Sequence, residues 1–161
     1  MDNGDAPAEE KTFVDDDFAV TFRYPSSFTE GEVVDVARSV GGKPAASAAL
    51  QLDTYDGIVV SKYLNAAPVG PEDMVEVLPV FNSQVSQLVE KQVTGSIVDI
   101  AGLPGIRYDD LDVPGRVNQK SRLVFLFDGR DQYLLNCQST AEHRDELTRA
   151  CDRALATVRH R

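Results

Sequence analysis

Leu123-Val124-Phe125-Leu126-Phe127-Asp128-Gly129-Arg130-Asp131-Gln132-Tyr133-Leu134-Leu135-Asn136-Cys137-Gln138-Ser139 is the stretch on which the architecture turns. Leu123 to Phe127 are all apolar, so a strand there has no polar face and must be covered on both sides. Asp128-Gly129-Arg130-Asp131 reads as a tight turn, and Gln132 to Ser139 leave it as a further strand. Before this stretch, Ser96 to Ile100 and Ile106 to Val113 are strands, and the first of the two arms begins at Gln119. They are punctuated by Ala101-Gly102-Leu103-Pro104-Gly105 and by Pro114-Gly115.

Farther upstream, Ala49 to Thr54 and Ile58 to Leu64 flank Tyr55-Asp56-Gly57, a hairpin signal. Phe18, Val20, Phe22 and Tyr24 alternate with Ala19, Thr21 and Arg23 as far as Pro25, the pattern of a half-buried strand. Thr12-Phe13-Val14 is its short hairpin partner. Connections this short make the sheet mainly antiparallel and the class α+β.

Two helices complete the pattern. Pro71-Glu72-Asp73 opens one, since proline suits a first turn and acids suit the positive end of the helix dipole. Met74, Leu78, Phe81, Val85 and Leu88 then form one apolar stripe, with Pro79 expected to kink or divide the helix and Gly95 to cap it near 93. Thr140 is the expected N-cap of the second helix. Leu147, Cys151, Ala154, Leu155 and Val158 share one of its faces, with Arg153, Arg159 and Arg161 toward its negative end.

The 161 residues carry a formal charge of −10 and are 42% apolar, with seven Phe. That length and composition predict a single folded domain. The acidic balance speaks against nucleic-acid binding and against direct attachment to anionic membranes, both of which need clustered Lys and Arg. No apolar run approaches the roughly 20 residues of a membrane-spanning helix. Seven acids crowd into residues 1–17 against Lys11 alone. Residues 1–11 read as a disordered acidic tether and 12–161 as the domain. The tail has neither the charged nor the apolar region of a signal peptide. It fits either a cytosolic acidic tail or the tether of an exported protein whose signal has been removed. Residues 31–47, rich in Gly and Ala, read as a loop.

Cys137 shares a strand face with Tyr133 and Leu135, and Cys151 lies on the apolar stripe of the last helix. If that helix folds back on that face, the sulfurs can bond, which would place the protein in an oxidising compartment. Two buried free thiols in a cytosolic protein fit the same spacing.

The run Phe13-Val14-Asp15-Asp16-Asp17-Phe18-Ala19-Val20-Thr21-Phe22-Arg23-Tyr24-Pro25, followed by Phe28, resembles the opening of the PsbP-like family. Ala101-Gly102-Leu103-Pro104-Gly105-Ile106-Arg107-Tyr108, Arg122 to Phe127, Asp128-Gly129-Arg130 and Tyr133-Leu134-Leu135-Asn136-Cys137 resemble its second half. Cys151-Asp152 with Leu155 is similar to actinobacterial exported lipoproteins of that group. Phe28 stands where relatives often have Trp. The resemblance spans residues 12–158 and implies an αβα sandwich, a mainly antiparallel sheet flanked by helices with the last helix packed back on it. It also implies export, and membrane attachment only through a lipidated Cys upstream. Members of the family are accessory or binding proteins without shared catalysis.

Catalytic and cofactor motifs are absent from the sequence. There is no Gly-x-Ser-x-Gly elbow, zinc-protease helix or Walker loop. Gly41-Gly42-Lys43 lacks the distal glycine and the Ser/Thr of a phosphate cradle. Ser61-Lys62 are strand neighbours that point to opposite faces. His143 has no adjacent nucleophile and reads as a surface or capping residue. Asp109, Asp110 and Asp112 are the candidate ligands for a metal such as Ca²⁺, against the plainer reading of a solvated strand rim. Met74, Leu78, Phe81 and Val85 are candidate walls of an apolar pocket.

The expected function is therefore a cofactor-free, non-catalytic, exported envelope module. It would engage a protein partner through loops 31–47 and 101–119. The alternative is a carrier holding a lipid or other hydrophobic ligand between helix 74–93 and the sheet.

Overall fold

A computed structural model describes residues 9–36 and 44–161. The strands are β1 (Glu10–Phe13), β2 (Val20–Pro25), β3 (Thr29–Glu30), β4 (Ala46–Asp53), β5 (Asp56–Val69), β6 (Ser96–Ile100), β7 (Leu103–Asp112), β8 (Lys120–Ser139) and β9 (Arg159–His160). The helices are α1 (Met74–Val89) and α2 (Arg144–Thr157), each entered through a single 3₁₀ turn. A six-stranded antiparallel sheet runs β3-β4-β5-β8-β7-β6, and a separate three-stranded one runs β1-β2-β9.

β8 is folded back on itself. Its first arm pairs with β7, Leu126 opposite Gly105 and Leu123 opposite Tyr108. Its second arm pairs with β5, Cys137 opposite Ile58 and Leu135 opposite Val60. Ser121 Oγ lies 2.9 Å from Asn136 Oδ1, although fifteen residues of straight strand would span about 50 Å. The reversal falls at Gly129, whose φ of 61° glycine adopts without strain. The expected turn at 128–131 is therefore the pivot of the sheet.

The alternation along both arms sends side chains to opposite layers. Leu123, Phe125, Phe127 and Leu134 pack with Met74, Phe81, Val85 and Val89 of α1. Val124, Leu126, Tyr133, Leu135 and Cys137 pack with Leu147, Ala150, Cys151, Ala154 and Leu155 of α2, and with Phe13, Phe18, Phe22 and Phe28. The result is an α+β sandwich in which α1 covers one face. The opposite layer is α2 widened by the small sheet.

Several local features depart from expectation. β1 starts at Glu10, whose carboxylate accepts from Arg153 Nε at 2.7 Å and Nη2 at 3.0 Å. Glu10 and Lys11 thus belong to the domain rather than to the tether. The Arg153 guanidinium holds the Glu10 carboxyl below its ordinary range. The turn between β4 and β5 is Thr54-Tyr55, because Asp53 already pairs with Asp56.

α1 stays one helix through Pro79, which faces solvent, so the carbonyl freed by the missing N–H is open to water. It stops at Val89, with Glu90 in the left-handed region at φ 55°. Gly95, the expected cap, lies instead beneath Tyr108, where a Cβ would sit 2.7 Å from the ring. α2 also ends earlier, and Arg159 continues into β9, which pairs with β2.

Cys137 and Cys151 are joined in a disulfide with their Cα atoms 6.1 Å apart. It ties the central strand to the helix above it. Replacing both cysteines by Ala is expected to lower the unfolding free energy by about 3 kcal/mol in urea titrations, through the loop closure lost from the unfolded chain. An unchanged midpoint would show that the loop entropy is immaterial here.

Burial is the main cause that pushes the phenols of Tyr24, Tyr63, Tyr108 and Tyr133 above the ordinary range. The folded state keeps protons that the unfolded chain loses near pH 10, so stability holds below about pH 10 and falls above it. Urea midpoints should drop between about pH 9 and pH 11, with tyrosinate absorbance rising along the unfolding transition. Full tyrosinate absorbance in a still-folded protein would contradict this.

Candidate functional site

Beyond the reach of α1, the same face of the sheet turns polar. Asn136 and Gln138 follow Leu134 on that face, and both are buried. An unpaired buried amide costs roughly 1–3 kcal/mol, so each must find partners. Their partners come from three distant parts of the chain. Gln138 Oε1 accepts from Val36 N at 3.2 Å, and its Nε2 donates to Val34 O and to Tyr55 O. Asn136 Nδ2 donates to Gln138 Oε1 at 2.8 Å and to Asp35 Oδ1 at 3.0 Å. Ser121 Oγ donates to Asn136 Oδ1, and Gln119 Nε2 reaches Tyr55 O at 3.3 Å.

Segment 32–36, the 54–55 turn and the 113–119 loop are therefore fixed to one hub at one end of the sheet. Gly57 lets the first of them close in, since a Cβ there would fall 2.7 Å from Val33 Cγ2.

The start of α2 joins this end. Asp56, only 2% exposed, accepts from Thr140 N at 2.6 Å and from Thr140 Oγ1 at 3.0 Å. Thr140 precedes the helix as expected, yet its hydroxyl serves Asp56 and makes no cap bond. Arg144 donates to Ser139 Oγ and Asn118 O, pinning the 113–119 loop. Above the hub, the Arg116 guanidinium stacks over Tyr55 at 4.4 Å, and Val117 is 90% exposed. His143, at the entry to α2, faces Asp53 through Nε2 and Glu146 through Nδ1.

The residues expected to carry chemistry are placed as follows. Asp109 is paired with Arg107 at 2.9 Å and Arg122 at 3.0 Å, and Asp112 with Lys120 at 3.0 Å. Lys120 holds the Asp112 carboxyl below its ordinary range. Asp110 stands at φ 51° beside a break in the β7–β8 register, so the three carboxylates do not converge. Among the described residues, the ligand-type atoms that do lie together belong to Asp53, Asp56 and His143, within 4.8 Å of one another. No spacing signal in the sequence relates these three.

Met74, Phe81 and Val85 are buried and Leu78 is half-buried. The Phe81 ring meets Phe125 at 4.8 Å and Phe127 at 5.6 Å, edge to face, so side chains occupy the contact between α1 and the sheet. The span 101–119 is not one loop. Ala101-Gly102 turns β6 into β7, whose ten residues separate it from 113–119 at the hub. Gly41-Gly42-Lys43 lies outside the described residues, as does the middle of 31–47.

No protein-family model matches the chain, and no curated protein does. Among solved structures it is similar to cyanobacterial PsbP (CyanoP) from Synechocystis sp. PCC 6803, at 13% identity and a TM-score of 0.62, covering 100% of this chain and 98% of that one. A protein of Bacteroides thetaiotaomicron VPI-5482 matches at 14% identity and a TM-score of 0.59, over 94% of this chain. There the chain spans about half of its counterpart, 48%. The Ran-binding protein Mog1p of Saccharomyces cerevisiae is a looser likeness, at 11% identity and a TM-score of 0.47 over 96% of each chain, too loose to bear on function. At such identities the likeness is one of fold, and the fold is PsbP-like.

Replacing Gln138 by Leu should strand Val36 N and Val34 O and leave Tyr55 O with Gln119 alone. The expected cost is about 3 kcal/mol in chemical denaturation, with faster amide exchange at Val34 and Val36. Exchange at wild-type rates would show that the loops hold without the hub.

Proposed function

We propose that the protein is a non-catalytic binding module of the cell envelope, engaging a protein partner with the loop end built from 32–36, 54–55 and 113–119. The observation that carries this reading is the pairing of a rigid, buried amide hub with Val117 standing 90% exposed above it. Loops fixed in advance lose little conformational entropy on association. The stacked Tyr55 and Arg116 are of the types enriched in interface cores, and an apolar neighbour adds area to desolvate. The likeness in fold to PsbP is compatible with an accessory role. An extracytoplasmic setting is supported by the Cys137–Cys151 disulfide, a bond that persists in oxidising compartments. In this reading the module is held at the membrane through a lipid-modified Cys upstream.

Photo-crosslinking tests the assignment. Benzoylphenylalanine at position 117 should trap a discrete protein partner in the cells that make the protein. The same probe at Val14, in the β1–β2 connection away from the hub, should not. In the probe-free chain, Val117→Asp should lower the yield of that partner on co-purification at least about tenfold, the loss of roughly 1.4 kcal/mol. Trapping from position 14 alone, or an unchanged yield with Val117→Asp, would move the interface elsewhere.

A further inference from the structure

We propose that Asp53, Asp56 and His143 bind a divalent first-row transition ion of the zinc class at the rim of the loop end. One imidazole and two carboxylates are a donor set that suits such ions, and three protein ligands leave one position for water. Their ligand atoms all lie within 4.8 Å of one another. His143 Nε2 stands 3.6 Å from Asp53 Oδ2. That is longer than an N–H···O hydrogen bond, yet close to the separation of about 3.4 Å between two donors on one tetrahedral ion. Asp56 is held by the backbone N–H of Thr140 on Oδ1 and by the Thr140 hydroxyl, 3.0 Å from Oδ1 and 3.1 Å from Oδ2, so its carboxylate is fixed before any ion arrives. The other imidazole nitrogen, Nδ1, faces Glu146 Oε1 at 3.7 Å. A carboxylate behind a ligating imidazole sets its tautomer and raises its basicity, a common outer-shell arrangement. The ligands come from the end of β4, the start of β5 and the entry to α2, so an ion there would bind the Thr54-Tyr55 turn to the last helix.

The test uses the oxidised full chain, free of any affinity tag, with Zn²⁺ in calorimetry and Co²⁺ in visible absorption. One equivalent of Zn²⁺ should bind, and Co²⁺ should give the d–d bands of a low-coordinate site that Zn²⁺ then displaces. His143→Gln should abolish both signals, and Asp53→Asn should weaken them strongly. Glu146→Gln should lower affinity by about 10- to 100-fold, the usual effect of losing an outer-shell partner. His160→Gln, at the separate His160–Asp128 pair, should leave both signals unchanged. His143 and Asp53 are not in the core, and circular dichroism of each variant confirms that it is folded. Absence of Zn²⁺ heat and of Co²⁺ bands in the wild-type chain overturns the proposal. So does binding that survives His143→Gln, which would place the ion elsewhere.

Discussion

A strand apolar on both faces cannot lie at a surface, and β8 imposes that constraint on everything around it. Leu123, Phe125 and Phe127 need one cover while Val124 and Leu126 need another, so a single helix cannot satisfy the strand. α1 supplies the first cover with rings that interlock. The second, α2, is narrow and carries small residues such as Ala150 and Ala154, which let it approach closely but leave the flank of the sheet open. β1, β2 and β9 close that flank with aromatic rings, Phe13 stacked on Phe22 at 4.9 Å and edge-on to Phe18 at 5.5 Å. The small sheet is thus a consequence of the width that α2 fails to cover.

The two ends of the molecule solve the burial of backbone differently. Under α1 the covering is mostly hydrocarbon, with polar stitches where Asn82 Oδ1 accepts from Tyr108 Oη at 2.7 Å and from Gly95 N at 2.9 Å, and where Ser86 Oγ accepts from Val93 N at 3.0 Å. At the loop end the covering segments have no regular structure, so their peptide groups need partners that a sheet cannot provide. Amide side chains supply those partners because each carries a donor and an acceptor. Hydrogen bonds of this kind fix geometry more tightly than apolar contact does, which suits a surface that has to keep one shape.

Much of the frame was legible in the sequence because it rests on period and punctuation. The alternation from Val20 to Tyr24, the doubly apolar run 123–127, the Gly129 turn and the apolar stripe of α2 are local signals. So is the face shared by Cys137 with Tyr133 and Leu135, which put its sulfur opposite Cys151. What escaped depends on partners remote in the chain. β9 is two residues that become a strand only beside β2. Asn136 and Gln138 look like the polar exit of a strand until segment 32–36 is laid over them. His143 reads as a helix-entry residue, and only the β4–β5 turn brings Asp53 and Asp56 beside it. Asp109, Asp110 and Asp112 made the opposite case. Their proximity in sequence suggested a cluster, but strand pairing gave Asp109 and Asp112 cations of their own.

The order of the larger sheet also decides where another chain could add to it. One border is β3, only two residues, both exposed, and too short to template a neighbouring strand. The other is β6, five residues long, with a half-exposed Ile97. Asp99 stands near its end, turned back to accept from the Gly102 amide at 3.1 Å. An acid on a short border strand disfavours edge-to-edge pairing. Of the two border strands of the larger sheet, β6 is the one long enough to be extended by a second copy, and a charge stands in its way.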